Sequence, residues 1–328
     1  MGSEVRWISS GEMDRLGITM AEVMDAVETG FAALGAGLGE MPSKIGVHPR
    51  EDSFIHAMPC YLGGHIDRAG VKCIAGYPAN PAKGLPYISG VMLLNDPETG
   101  LPLTVMDAAR VTAWRTGAAS GVYARHFGDP ETASVAVVGT GVQGRANLLA
   151  MRDVFPALSE VRCCGLREAS VQRFIDEMAP KLPDAVFSLH TDIRTAVRNA
   201  DVLITCTPMV EEPDRTVRRE WLKDDCLVIA VDYDACVGED VFRGAHFTCD
   251  NRNQYARTQE AGTYFQSGYP RPGDIDADLC EVCAGEKRGV REGRRGAVLM
   301  GIAAHDVMAS ALVFERAAEA GVGTLVEL

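Results

Sequence analysis

The run Ser134-Val-Ala-Val-Val138 leads directly into Gly139-Thr-Gly141-Val142-Gln143-Gly144, and this junction constrains the chain more than any other segment. It reads as a buried strand, a tight turn and the first residues of a helix, with the helix continued by Ala146, Leu149, Ala150 and Val154. Each glycine has a separate task in a dinucleotide-binding turn. Gly139 permits the turn, Gly141 lets the backbone approach a pyrophosphate, and Gly144 lets the helix pack closely on the strand. The helix start then offers free N–H groups and a positive dipole end to phosphate oxygens.

Downstream, the pattern repeats. Strand-like segments at 134–138, 161–164, 185–189, 202–206 and 226–231 are separated, over the first four, by helical periodicity. That alternation predicts a doubly wound parallel sheet. Val241 to Asp250 adds a shorter element, residues 251–296 are polar and poorly periodic, and Ala297 to Ala320 reads as a helix that stops at Gly321. That last helix lies too far along to belong to the dinucleotide fold, so it is expected to return to the first domain.

Upstream, Met20 to Leu38 reads as a helix with a Thr19/Glu22 capping box, and Val71 to Ala75 as a strand. Tyr87 to Leu94 and Leu101 to Met106 read as a hairpin about Asn95-Asp-Pro-Glu-Thr-Gly100. Val111 to Phe127 reads as a helix crowded with Ala and Gly, ended by Asp129-Pro130. The expected architecture is α/β. A Rossmann-type domain spans 129–302, and a second, α+β domain, which the family resemblance set out below implies is the substrate-binding and dimerisation domain, is formed by 1–128 and 303–328.

With 328 residues, 47% hydrophobic and 23% charged, the chain has material for two cores. Its net charge of −13 argues against nucleic acid or an anionic membrane as a partner. No run of 18 apolar residues occurs, and Met1 to Ser10 lacks an apolar signal region, so the expected compartment is the cytoplasm. The ten cysteines show no disulfide spacing and are expected as reduced thiols. Cys280-x-x-Cys283 is half of a metal site with nothing to complete it, and no metal is expected. Cys163-Cys164 sit in an apolar strand pattern and read as core.

Three groups stand out as chemistry. Lys72, in Val71-Lys-Cys-Ile-Ala75, has apolar neighbours on both sides. It either meets a carboxylate, as a substrate-binding or proton-transfer group, or reaches water from an edge strand. Asp232 and Asp234 follow Val228-Ile-Ala-Val231, at the carboxyl end of a parallel strand, where open α/β sheets bind ligands. There a carboxylate moves a proton, holds an ammonium, or simply closes the turn. Arg115, amid small residues in Thr112-Ala-Trp-Arg-Thr-Gly-Ala-Ala119, suits a carboxylate or phosphate. After the second strand of the parallel sheet, Gly165 occupies the position where NAD enzymes place an acid, and Arg167 follows. That pair favours NADP, with NAD open through Glu168.

Met41-Pro-Ser-Lys44, Ala57-Met-Pro59, Gly70-Val-Lys72, Tyr77-Pro-Ala-Asn80, Gly84-Leu-Pro86, Asp96-Pro-Glu-Thr-Gly100, Thr112-Ala-Trp-Arg-Thr116 and Gly139-Thr-Gly-Val-Gln143 occur in that order. Together, from about Met41 to Gly323, the chain resembles the ornithine cyclodeaminase/mu-crystallin family, which includes archaeal-type alanine dehydrogenases and ketimine reductases. The resemblance implies a homodimer and chemistry on a C–N bond beside a carboxylate. Lys72 matches the family's active-site lysine, and Lys44 and Arg115 match groups that hold the substrate carboxylate. Thr116, Gly139, Gly141, Val142, Gln143, Gly144, Thr207 and Gly301 match nicotinamide-cofactor contacts. Asp234 is the better match to the catalytic aspartate of the cyclodeaminases, although Val231-Asp-Tyr-Asp-Ala departs from the family's small-residue turn.

His56 stands where alanine dehydrogenases tend to carry Arg and cyclodeaminases Glu. It reads a different substrate group or is structural, with Arg50 positioned to compensate. Met300 precedes Gly301 where a small hydroxyl residue is frequent. These departures point to a non-standard substrate. The function implied is an NAD(P)-dependent oxidoreductase that interconverts an amino acid, or N-substituted amino acid, with its imine or ketimine. A cyclodeaminase with recycled NAD and a mu-crystallin-like small-molecule binding protein are the alternatives.

Overall fold

The computed structural model describes residues 4–210 and 212–328, so the first three residues of the N-terminal segment read above lie outside the described residues. The chain divides into two compact units, 1–115 with 302–328, and 116–301, the division falling inside the helix Ala108–Phe127.

The first unit is built on an eight-stranded mixed sheet. Its main path runs Thr324–Glu327, Glu4–Ile8, Pro102–Asp107, Ile88–Asn95, Arg68–Gly76, Phe54–Leu62 and Gly39–Glu40, with Ile45–Val47 also paired to Phe54–Leu62. Strand periodicity assigns every second residue to one face. Ile8, Met106, Met92, Lys72 and Met58 lie side by side in register and are all buried. The helix Ala303–Ala320 packs over these central strands and against the helix Met20–Gly35, so the C-terminal segment does return to the first unit. Small residues allow the approach: a Cβ at Gly30 would stand 2.9 Å from the Met308 side chain. The expected Thr19/Glu22 capping box is present, with the Thr19 N–H donating to Glu22 over 2.8 Å.

The opposite face of this sheet is apolar and partly exposed. Trp7, Val105, Leu93, Val71 and Pro59 form one cross-strand row, and Val91, Cys73, Ala57 and Ile45 the next. Trp7 is 47% exposed and Ile45 68%.

The second unit holds an eight-stranded sheet, parallel throughout, in the order 186–190, 160–164, 134–138, 202–205, 227–230, 295–298, 246–249, 277–278. The order reverses beside Ser134–Val138, which places a topological switch point at the glycine turn. Ser134–Val138 is buried at every position, as its apolar run predicts.

Two expectations change here. Residues 251–296 are not merely irregular: they supply the helix Arg252–Glu260 and the short strand Ala277–Asp278. Ala297 and Val298 belong to the strand Arg295–Val298, and the C-terminal helix starts only at Ala303, because Gly301 takes φ 78° and breaks the helical path. Among the described residues no helix is long and apolar enough to cross a membrane.

Candidate functional site

In the first unit Lys72 is 1% exposed on the covered face of the sheet, flanked by Met58 and Met92 on the neighbouring strands. Burying an ammonium among methionines requires a countercharge. Asp306, on the first turns of the C-terminal helix, supplies it: Lys72 Nζ lies 2.7 Å from Asp306 Oδ2, and Arg115 Nε donates to Asp306 Oδ1 over 3.0 Å. One fully buried carboxylate therefore bridges both cations that the sequence assigned to substrate binding. Burial, with the positive charges of Arg115 and Lys44, outweighs the attraction of Asp306 and brings Lys72 down to about 7. Lys72 is thus poised to change protonation near neutral pH.

Asp306 was not singled out in the sequence. The available signal was His305-Asp306, a polar pair in the otherwise apolar start of the helix, Ala303-Ala-His-Asp-Val307. His305 is also fully buried and stacks edge-on against Phe31 at 4.2 Å. Burial and the nearby Arg115 and Lys72 charges hold its pKa well below the ordinary histidine value, so it is neutral.

His56 lies on the same sheet face as Lys72, diagonally across the strand pair, because Met58 rather than His56 is opposite Lys72. Its ring stacks on Phe54 at 4.3 Å. It also lies over Gly46, where a Cβ would come within 2.3 Å of His56 Cδ2. Partial burial, then Lys44, His48 and Lys72, pull His56 down to about 4. At neutral pH it is an uncharged imidazole. Lys44 is half-buried and acts on both His56 and Lys72, whereas Arg50 is exposed with its guanidinium on the Pro49 carbonyl.

This lowering has a measurable consequence. The unfolded chain binds a proton at His56 below about 6.5, and the folded chain only below about 4. Stability therefore rises with pH across that window, the penalty being complete below it and absent above it. His56→Gln is expected to flatten the dependence of unfolding free energy on pH there by up to one proton, measured by urea titrations at stepped pH. An unchanged slope would mean that His56 titrates normally.

In the second unit Thr116 lies within the helix Ala108–Phe127, and the other candidates follow the carboxyl ends of the parallel strands. The three turn glycines behave differently when a Cβ is placed on them. At Gly139, with φ 103°, it would meet the Cys206 carbonyl at 2.4 Å, and at Gly144 the Gly139 carbonyl at 2.3 Å. At Gly141 it meets nothing within 4 Å, so that position is left open to an approaching ligand rather than to the protein. The helix Val142–Val154 begins there with no side-chain cap, Val142 is 64% exposed, and Gln143 Oε1 is buried without a partner. An open, uncapped helix start at the switch point fits a dinucleotide pyrophosphate. Past the next strand, Gly165 and the exposed Arg167, at the N-cap of Glu168–Met178, present no carboxylate. Thr116 is buried at 7% exposure.

The two aspartates part company. The strand ends at Ala230, and Tyr233 takes φ 60°, so the side chains at 232 and 234 do not continue along one strand face. Asp232 accepts from Thr205 Oγ1 at 2.6 Å and from the Thr207 N–H and Oγ1 at 2.9 and 2.5 Å. Both its oxygens are engaged, and Thr207 spends its hydroxyl on it. Burial raises the Asp232 pKa above the usual carboxylate value. Asp234 Oδ2 meets Arg215 at 2.7 Å and the Phe265 N–H at 3.0 Å, while Oδ1 is buried with no partner. Arg215 and Phe265 also take positive φ, at 45° and 63°. Strained backbone of this kind, concentrated around one carboxylate, is characteristic of functional positions. Arg215 lacked a sequence signal because its contact with Asp234 is made across 19 positions and depends on the positive φ of Arg215. Gly301 N–H donates to the buried Asp250 over 2.5 Å.

The family model for the ornithine cyclodeaminase/mu-crystallin family matches residues 12–321. The nodulation efficiency protein NfeD of Rhizobium meliloti is 34% identical over 99% of both chains. A Thermococcus litoralis Δ1-pyrroline-2-carboxylate reductase, solved with NADH and L-proline, superposes with a TM-score of 0.88 at 29% identity, covering 98% of this chain and 100% of that one. An archaeal alanine dehydrogenase dimer with bound NAD gives 0.86 at 30% identity over 99% of each chain. With its motifs, its two sheets and the Lys72 and Gly139 sites all in place, the chain belongs to the ornithine cyclodeaminase/mu-crystallin family.

Proposed function

We propose that the protein is an NAD(P)-dependent oxidoreductase that interconverts an amino acid, or an N-substituted amino acid, with the corresponding imine. The observation that carries this reading is the Lys72–Asp306–Arg115 bridge: two buried cations share one carboxylate and so retain net positive charge for a second. The reductase and dehydrogenase relatives that bind NADH with L-proline, or NAD, support it.

When bound, the nicotinamide supplies or accepts the hydride, which joins or leaves the carbon of the C=N bond. Arg115 and Lys72 bind the substrate carboxylate, with Lys44 beside them, and fix the α-carbon. One proton must reach the nitrogen for each hydride added. Asp234 Oδ1, the unpartnered oxygen, is the site for that proton, and Arg215 holds the other oxygen in place. Asp232 reads as structural in this proposal, since both its oxygens already accept hydrogen bonds from Thr205 and Thr207.

The cofactor preference proposed is NADPH, because Gly165 stands where NAD enzymes place an acid and Arg167 follows it, with NAD the alternative through Glu168. A homodimer is proposed through the apolar sheet face of the first unit that carries the exposed Trp7, Val91 and Ile45. The ten cysteines carry free thiols, as a reducing compartment would keep them.

The test is a panel of keto acids with ammonia and primary amines, and of cyclic imino acids, followed by nicotinamide absorbance with each cofactor. The expected result is continuous oxidation of NADPH, with weaker NADH binding, and a loss of that preference in Arg167→Ala. Ammonia release from a diamino acid without net nicotinamide change would instead establish a cyclodeaminase. Binding without turnover would establish a binding protein.

A further inference from the structure

We infer that the second unit carries an oxoanion site at the amino edge of its parallel sheet, built on Arg295, Arg219 and Arg294, which takes a phosphate group. One buried charge points to it. Arg295 opens the strand Arg295–Val298 and is 4% exposed. A guanidinium keeps its proton throughout the range in which proteins fold, so it cannot relieve its burial by becoming neutral. Its Nη2 donates to the Asp225 carbonyl, while Nε and Nη1 are buried with no partner. Among the described residues no carboxylate pairs with it. An uncompensated buried charge destabilises a fold, and an incoming anion removes that cost.

The surroundings carry the same sign. A cavity of about 10 Å³ lies against Arg295 and is lined also by Arg219, Arg294 and Lys223, with Val228 and Val241 among its apolar walls. Among the described residues no acid lines it. Arg219 Nε is likewise buried with no partner. The space suits about one water-sized atom, enough for a single oxygen of a phosphate. An open cleft of about 890 Å³ shares Arg219 and Arg294 with it and adds Arg218, leaving room for the other oxygens and for an attached group. The acids of the region are already committed or exposed. Asp224 pairs with Arg219, and Asp201 with Lys223. Asp240 Oδ2 accepts the Arg219 backbone N–H over 3.0 Å. Asp240 Oδ1 and Arg218 Nη1 stand beside Gly238, where a Cβ would come within 2.6 and 3.2 Å of them. Glu220 and Asp225 are exposed. Arg294 donates to the Arg243 carbonyl over 3.4 Å and has no acid of its own among the described residues.

These side chains select the ligand class. A cation would meet like charge in the inner cavity, and an apolar group would leave the guanidinium N–H groups unpaired. A phosphate offers several oxygens to several guanidinium forks, each contact a charge-assisted hydrogen bond. The position separates this site from the nicotinamide site. Leu227 and Arg295 are register partners at the amino ends of parallel strands, whereas the glycine turn follows the carboxyl end of Ser134–Val138 in the same sheet. The two sites occupy opposite edges of the sheet, so both can be filled at once.

The test uses the full chain saturated with whichever nicotinamide cofactor binds it tighter, so that the glycine turn is already filled. Inorganic phosphate, glycerol 3-phosphate and chloride are titrated at equal ionic strength, followed by calorimetry and by melting temperature. Phosphate is expected to bind saturably and to raise the melting temperature, as any ligand of the folded state does, and chloride is not. Arg295→Met should weaken phosphate binding at least about tenfold, the loss of one charge-assisted contact. In chloride alone that variant should melt no lower than the parent, because it removes a buried charge that has no partner. Arg294→Gln changes an exposed side chain, should fold as the parent does, and should also weaken phosphate binding. It decides the question if Arg295→Met does not fold. Binding of either phosphate compound sustains the site, and the tighter of the two separates a free anion from a phosphate ester. No saturable difference between phosphate and chloride overturns the inference. So does parent-like phosphate affinity in the folded variants.

Discussion

Lys72→Met is expected to lower kcat/KM by about 10²–10³, the usual cost of one preorganised electrostatic partner, while leaving nicotinamide binding unchanged. The substitution is chosen for its shape. Lys72 already lies between Met58 and Met92, and a methionine fills nearly the same volume without an ammonium. Folding should therefore survive better than with alanine. The loss should also depend on pH. In the parent protein Lys72 titrates near 7, so activity that requires its charge declines above that value, and a rise in the limb accompanies substrate binding because the incoming carboxylate favours the ammonium. The variant should lack that limb. Fluorescence titration of cofactor, circular dichroism and a pH–rate profile together decide it. Near-parent activity in a folded variant returns Lys72 to a purely structural role.

Asp306→Asn should have the larger effect on stability. It removes the carboxylate that two buried cations share, and breaking such a pair from one side costs about 3–5 kcal/mol because the partner is left charged and unpaired. The amide keeps the size of the side chain, so the loss is electrostatic rather than a cavity. The remedy separates structure from chemistry. In Lys72→Met/Asp306→Asn one of the buried charges is gone, and stability should recover by more than additivity allows. Activity should not recover, because the substrate carboxylate has lost Lys72. Urea unfolding of the parent, the two single variants and the double variant gives the coupling directly. Additive losses would mean that the bridge contributes nothing to the fold. Recovery of activity together with stability would mean that Asp306 acts only by holding the helix.

Local signals carried much of this. The capping box at Thr19, the glycine-spaced turn at 139–144 and the alternation of strand and helix after Ser134 are written in contiguous residues, and each formed as expected. Lys72 stood out because an ammonium in an apolar strand has a burial cost that only a partner can offset. Where local pattern was weak the reading was poorer. Gly301 broke the expected helix at 297–320, and short strands at 277–278 and 295–298 form only because a parallel sheet is there to receive them. Likewise Asp232 and Asp234 share a strand end in sequence, yet a positive φ at Tyr233 sends them to different partners.

The order of small apolar and glycine residues by itself determined that this chain would build a parallel sheet with a ligand-accepting turn, since those choices depend on neighbours within a few residues. Which carboxylate meets Lys72 was decided only by the tertiary structure. Asp306 lies 234 positions further along, and its partnership with Lys72 and Arg115 exists because the C-terminal helix crosses the sheet there. No local propensity records such a contact, because the electrostatic gain appears only once burial has removed water from all three groups.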